Sequence, residues 1–121
     1  MKNLAPNLCR QRVVIELLHK EYITKETLEE YLLKLTATAG MTPVDGPYIY
    51  PCGELGFGGW IHWTTSGAHI YTYPPEKNGT DFYLITVDAY TCKSFDLLKV
   101  VAFTKDFYDI TNDEHITYKE V

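Results

Sequence analysis

Short runs of aromatic and β-branched residues, each bounded by glycine, proline or a polar turn, recur along this chain. The longest run covers residues 82–90. Aromatic and β-branched side chains pack well on a pleated sheet, and short runs of them are typical of strands rather than helices. The pattern predicts six strands, at residues 12–18, 48–51, 60–64, 68–73, 82–90 and 116–118.

Two further segments have helical spacing. Thr24 is a suitable N-cap for a helix over residues 25–39, in which leucines recur on one face and after which Gly40 supplies a C-terminal stop. Ser94 is the expected cap of a second helix that runs to about residue 106. This second helix is expected to place four apolar residues on one face: Phe95, Leu98, Val101 and Ala102.

The order of elements is therefore β-α-β-β-β-β-α-β, in a single domain over residues 1–121. We expect residues 1–10 and 111–121 to be peripheral, and the segment around Pro43, Gly46 and Pro47 to be a loop. Two helices on one face of a largely antiparallel sheet make an α+β fold, a two-layer α/β sandwich. The other face of such a sheet is left for another subunit to cover in part.

Composition excludes several classes of function. The net charge is -5 and basic runs are missing, which disfavours nucleic acid as a partner. No apolar run is long enough to span a membrane, and residues 1–12 lack the pattern of a secretory signal, so we expect a cytoplasmic protein. The three cysteines are far apart, without a Cys-x-x-Cys pair, so we expect neither a metal site nor a disulfide framework.

Two strand motifs carry a family resemblance. Residues 64–75 run Thr-Thr-Ser-Gly-Ala-His-Ile-Tyr-Thr-Tyr-Pro-Pro, and residues 87–92 run Val-Asp-Ala-Tyr-Thr-Cys. Together they resemble the core of the bacterial and archaeal S-adenosylmethionine (SAM) decarboxylases, over roughly residues 12–109. In that family a Glu-Ser-His segment leads into a strand ending in His-Thr-aromatic-Pro-Glu, and a second strand ends in Val-Asp-x-aromatic-Thr-Cys. The resemblance implies the α/β sandwich of these enzymes, a role in polyamine synthesis, and a homo-oligomer with its sites at subunit junctions.

The resemblance also implies a chemistry for two residues. Family members cut the chain before a serine and convert it to a pyruvoyl cofactor, which acts as the electron sink for loss of CO2. Ser66 stands at the pyruvoyl position and Cys92 at the position of the proposed proton donor.

Several residues depart from the family pattern. Thr65 replaces the glutamate before the serine, Tyr71 replaces the histidine that assists cleavage, and Gly58 replaces an upstream serine that is also needed. The phenol of a tyrosine takes up a proton far less readily than a neutral imidazole. His69 shares a strand face with Tyr71 and is a possible substitute, although it is displaced by about 7 Å along the strand.

Three hypotheses follow. The first is a lyase without a pyruvoyl cofactor that cleaves SAM, or a SAM–nucleotide conjugate, into the methylthioadenosine moiety and homoserine lactone. The second is a pyruvoyl-dependent decarboxylase of SAM, arginine or ornithine, cut between Thr65 and Ser66. The third is a SAM-binding regulatory protein without activity. The candidate catalytic residues are Ser66, Cys92, His69 and Tyr71, and the candidate substrate-binding residues are Tyr50, Phe57, Thr65, Tyr73, Glu76 and Asp88.

Overall fold

A computed structural model describes residues 1–121, which form an α+β fold with a six-stranded antiparallel sheet and three helices. The strands are β1 (Gln11–His19), β2 (Pro43–Pro51), β3 (Phe57–Trp63), β4 (Ser66–Tyr73), β5 (Tyr83–Thr91) and β6 (Ile116–Glu120). The helices are α1 (Lys25–Thr38), the short α2 (Pro75–Asn78) and α3 (Leu97–Phe107). The strand order is β2-β3-β4-β5-β1-β6, so β1 lies between β5 and β6.

The helices and the core lie on one face of the sheet. Alternate residues of β1, namely Val13, Ile15 and Leu17, are at most 1% exposed, because successive side chains of a strand point to opposite faces. The same alternation buries Ile70 on β4 and Val87 on β5. These strand residues form one hydrophobic cluster with buried residues of both long helices, which confirms the two-layer arrangement: Leu28, Tyr31, Leu32, Leu35, Val100 and Val101.

Local sequence signals set the ends of α1. The Thr24 hydroxyl accepts a hydrogen bond from the Thr27 backbone N–H at 3.1 Å, which satisfies one of the free amides of the first turn. Gly40 follows the C-cap with φ +72°, a backbone conformation that favours glycine. Both the predicted cap and the predicted stop of this helix are confirmed.

Buried hydrogen bonds connect the helices to the sheet and to each other. The indole Nε1 of Trp63 on β3 donates to the Thr36 hydroxyl of α1 at 2.8 Å, and that hydroxyl donates to the Leu32 carbonyl. The Tyr31 hydroxyl of α1 lies 2.8 Å from the Thr104 hydroxyl of α3, and burial raises the pKa of this tyrosine. Each pair satisfies polar atoms that would be costly to bury alone.

Four sequence predictions need correction. The predicted order of elements lacks the short helix α2, which lies between β4 and β5. Residues 43–47, predicted as a loop, belong to β2, which is irregular there but continues to pair with β3. The cap of α3 is Asp96 rather than Ser94, because the Asp96 carboxylate accepts a bond from the Lys99 N–H at 3.1 Å. The buried face of α3 does not include Leu98, which is 67% exposed, or Ala102.

Neighbouring residues of β4 provide a test of this one-sided core. Ile70→Ala should lower the free energy of unfolding by about 2–5 kcal/mol, because it leaves a cavity under the helices. Tyr71→Ala, on the opposite face, should change it by about 1 kcal/mol or less. Urea denaturation of both variants measures the difference. Equal losses would show that both faces of β4 are packed.

Candidate functional site

The face of the sheet that carries no helix is rich in exposed rings; we call it the open face. Tyr48, Trp60, His69 and Asp88 lie side by side on four neighbouring strands, because each pairs directly with the next in the sheet register. The Tyr48 and Trp60 rings are 5.2 Å apart at their centroids. The His62 ring lies 4.2 Å from that of Trp60. Aromatic rings thus cover the β2–β4 half of this face.

A cleft of about 580 Å³ opens on this face where β4 begins and β5 ends; we call it the Ser66 cleft. Its residues come from β1, β3, β4, β5 and the β3–β4 turn, so four strands and a tight turn position them. Most of them are polar or charged. The lining consists of Arg12, His62, Trp63, Thr64, Ser66, Gly67, His69, Asp88 and Tyr90.

An ion pair between Arg12 and Asp88 forms one wall of the Ser66 cleft. Arg12 donates from Nε to Asp88 Oδ1 at 2.9 Å and from Nη2 to Oδ2 at 2.7 Å. These bonds raise the pKa of the guanidinium above its ordinary value, so Arg12 stays charged. The two side chains are 43% and 35% exposed. The carboxylate is therefore fixed in orientation while its remaining lone pairs stay open to a ligand.

The Thr65–Ser66 peptide has an unusual local geometry. Ser66 has φ +123°, which side chains other than glycine rarely adopt and which costs on the order of 1–3 kcal/mol. The Thr65 carbonyl accepts a hydrogen bond from the Cys92 backbone N–H at 2.8 Å. The Thr65 hydroxyl donates to the sulfur of Met41 at 3.2 Å. The peptide bond before Ser66 is thus held in a strained turn with its carbonyl polarised.

The four candidate catalytic residues do not all meet in one chain. Ser66 and His69 line the same cleft. The Tyr71 ring stacks beside that of His69, with centroids 6.4 Å apart, but Tyr71 lies five residues, or about 16 Å, along β4 from Ser66. Cys92 contacts the Thr65–Ser66 turn through its backbone N–H. Its side chain is exposed.

Gly58, where the resemblance implies a serine, lies among tyrosine and cysteine side chains. Gly58 pairs with Tyr50 on one side and Tyr71 on the other. A Cβ atom at this glycine would meet Cys52 Sγ and the Tyr71 ring, each at 3.3 Å. The Cys52 thiol and a phenol ring therefore occupy the space beside the position where the family has a serine.

The candidate substrate-binding residues are divided between two ends of the sheet. Asp88 lines the Ser66 cleft, and Thr65 lies in the turn beside it. Phe57 and Glu76 line a second cleft of about 410 Å³ at the opposite strand ends, together with Tyr22, Thr72 and Tyr83. Tyr50 is exposed on the open face, and Tyr73 is half-buried at the end of β4.

The sequence analysis identified Ser66, His69 and Asp88 but not the other six residues that line the Ser66 cleft. Among these six, Arg12 lies at the start of β1, His62 on β3 and Tyr90 on β5. A usable signal was present for Arg12, because the Asp88 carboxylate within a strong strand requires a cationic partner. No local pattern identifies that partner, since 76 positions separate the two residues.

Comparison with known proteins does not assign this site. The chain matches no protein-family model. It also matches no curated protein. No cluster of three or more His, Cys, Asp or Glu side chains is placed to hold a metal ion. None of the helices combines the length and the apolar character that crossing a bilayer requires.

Proposed function

We propose that this chain binds SAM, or a SAM-like conjugate, on the open face and cleaves it as a lyase without a pyruvoyl cofactor. The observation that carries the proposal is the row of Tyr48, Trp60 and His69, which ends at the Asp88 carboxylate held by Arg12. The row pairs a ring-rich surface with an oriented anion. SAM has the matching parts: a flat adenine, a sulfonium cation and an α-ammonium group.

The ligand is expected to lie across the strands. Trp60 and Asp88 are two strands apart, a separation of about 10 Å. Adenine would stack over Tyr48 and Trp60, the sulfonium would face the rings of Trp60 and His69, and the α-ammonium would donate to Asp88. In this pose Arg12 acts through Asp88, whose carboxylate it holds in place.

The reaction itself is an intramolecular displacement. An oxygen of the substrate's α-carboxylate attacks its γ-carbon, the bond from that carbon to sulfur breaks, and the electron pair leaves on sulfur. Methylthioadenosine and homoserine lactone result. No proton is transferred and no oxidant is consumed. The protein therefore has to fold the substrate so that the carboxylate reaches the γ-carbon, a form of catalysis by proximity.

This chemistry fits the residues present around the Ser66 cleft. A pyruvoyl enzyme needs a group to move the proton during chain cleavage, and Tyr71 is a poor base that lies about 16 Å from Ser66. The lyase has no such requirement. Because the carboxylate and the sulfonium lose their opposite charges together, a less polar environment than water favours the transition state.

A second subunit is the expected source of that environment. The open face has no cover within one chain, and Tyr48, Tyr50, Tyr71 and Tyr90 on it are each more than 40% exposed. A homo-oligomer in which another copy covers these rings would exclude water from the site. This part of the proposal follows the family resemblance.

Incubation with SAM tests the lyase directly. Chromatography of the products should give methylthioadenosine and homoserine lactone, without CO2 or decarboxylated SAM. Asp88→Asn should lower kcat/KM by about 10- to 100-fold, because it weakens a charged hydrogen bond to the ammonium.

Glu16→Gln is the matched control. This exposed carboxylate lies on the same face, on β1, outside the Ser66 cleft, and should leave turnover within about twofold of the wild type. Absence of methylthioadenosine from the wild-type reaction would rule out the lyase. Calorimetric binding of SAM without any product would instead favour the regulatory hypothesis.

Two observations support a second candidate, the pyruvoyl-dependent decarboxylase. The strained φ of Ser66 and the hydrogen bond from the Cys92 N–H to the Thr65 carbonyl both favour attack of the serine hydroxyl on that carbonyl. This would convert the Thr65–Ser66 amide to an ester. Elimination then breaks the Cβ–O bond, which leaves a carboxylate on Thr65 and dehydroalanine at residue 66, and water hydrolyses the dehydroalanine to a pyruvoyl group with release of ammonia.

Intact mass spectrometry under denaturing conditions distinguishes the two candidates. The lyase predicts one uncut chain that retains activity. The decarboxylase predicts two chains that separate between Thr65 and Ser66, and Ser66→Ala should abolish that cut because it removes the attacking hydroxyl. A single intact mass from active protein would eliminate the decarboxylase.

A further inference from the structure

The two edges of the sheet differ in their capacity to pair with another strand. β2, at one edge, contains Pro43, Pro47 and Pro51, which lack a backbone N–H, and its register is broken by bulges. β6, at the other edge, has no proline and pairs with β1 in an unbroken register from Ile116 to Glu120. Only β6 presents a regular row of unpaired backbone groups.

One hydrogen bond fixes which groups of β6 point outward. The Val121 N–H donates to the Arg12 carbonyl at 2.9 Å. In an antiparallel pair, residues that bond to the partner alternate with residues that do not. Thr117, Lys119 and Val121 therefore direct their backbone groups at β1. The backbone N–H and C=O groups of the alternate residues face away from the sheet: Ile116, Tyr118 and Glu120.

We propose that β6 pairs antiparallel with β6 of a second copy of this chain, with Tyr118 opposite Tyr118 of the partner subunit. In this register Ile116 lies opposite the partner's Glu120, so all three outward residues of each strand form bonded pairs. Two six-stranded sheets then become one continuous sheet, with the helical layers of both copies on the same side.

Side chains disfavour the two registers shifted toward the C-terminus of β6, and a register centred on Thr117 leaves Glu120 without an opposite residue on the partner's β6. On the open face it sets Thr117 against the partner's Lys119, a pair without charge repulsion. A shift that centres the pairing on Lys119 brings two ammonium groups directly opposite each other, and a shift to Glu120 does the same with two carboxylates. A second copy thus fits this edge better in the Tyr118-centred register than in either shifted one.

The pairing leaves the Ser66 cleft accessible. A two-fold axis perpendicular to the sheet keeps the open faces of both copies on the same side, and β6 supplies no residue to the cleft. The proposal is therefore independent of the lyase. It is also distinct from an oligomer formed through the open face, which would add to this interface without replacing it.

Tyr118→Pro tests the interface, because it removes an outward N–H while sparing those that bond to β1. Sedimentation analysis at protein concentrations of about 1 µM to 1 mM should show that the wild-type protein is a dimer or a multiple of dimers. The Tyr118→Pro variant should have half the wild-type mass. Tyr118→Val keeps the N–H and should keep the wild-type mass. The circular dichroism of all three proteins should agree.

A second variant keeps the proposal testable if the proline perturbs the fold. Thr117→Lys retains every backbone N–H but faces the partner's Lys119, and should weaken dimerisation by about 2- to 30-fold at low salt. Three results would overturn the proposal: a wild-type protein that is monomeric at every concentration, a Tyr118→Pro variant with the wild-type mass, or a Tyr118→Val variant that loses the dimer as fully as Tyr118→Pro does.

Discussion

One-sided burial of the sheet is the constraint on which the other features depend. Alternate residues of the strands, such as Val13, Ile70 and Val87, pack beneath α1 and α3 in a single cluster. The intervening residues cannot join that cluster, because the strand period directs them to the opposite face. Ring-bearing and charged side chains thus stand exposed in rows, and the Ser66 cleft opens among them.

Much of the fold was predictable because its signals are local. The cap at Thr24, the leucine spacing of α1 and the stop at Gly40 all act within a few residues. The prolines of β2 misled the prediction, since an edge strand tolerates missing N–H groups that a central strand does not. At α3, Ser94 and Asp96 are both residue types that cap helices; the helix begins at Leu97, so Asp96 is the cap.

The site was less predictable because it depends on distant pairings. Ser66, His69 and Asp88 were identified from motifs and do line one cleft. Arg12 joins them only because β1 inserts next to β5 in the sheet, which no local pattern indicates. Phe57 begins β3 and Glu76 follows the end of β4. Because a hairpin reverses the chain direction, both lie at the strand ends opposite the Ser66 cleft.

The residues that match the decarboxylase motifs and the residues that depart from them suit different reactions. Ser66 and the polarised Thr65 carbonyl have the geometry that the proposed chain cleavage would use, while Tyr71 and Gly58 lack the imidazole and the hydroxyl that the resemblance implies for it. A lyase that relies on substrate folding has no need of those groups. The rings and the Arg12–Asp88 pair support the proposed binding of a SAM-like ligand more strongly than they support a reaction that releases CO2.

The central claim is that the ligand lies on the open face beside Asp88. Titration of isotope-labelled protein with the uncleavable SAM analogue sinefungin, followed by nuclear magnetic resonance, tests it most directly. Binding on the open face should shift the resonances of Trp60, His62, His69 and Asp88 and leave those of Phe57 and Glu76 in the second cleft unchanged. Shifts confined to the second cleft, or none at saturating analogue, would contradict it.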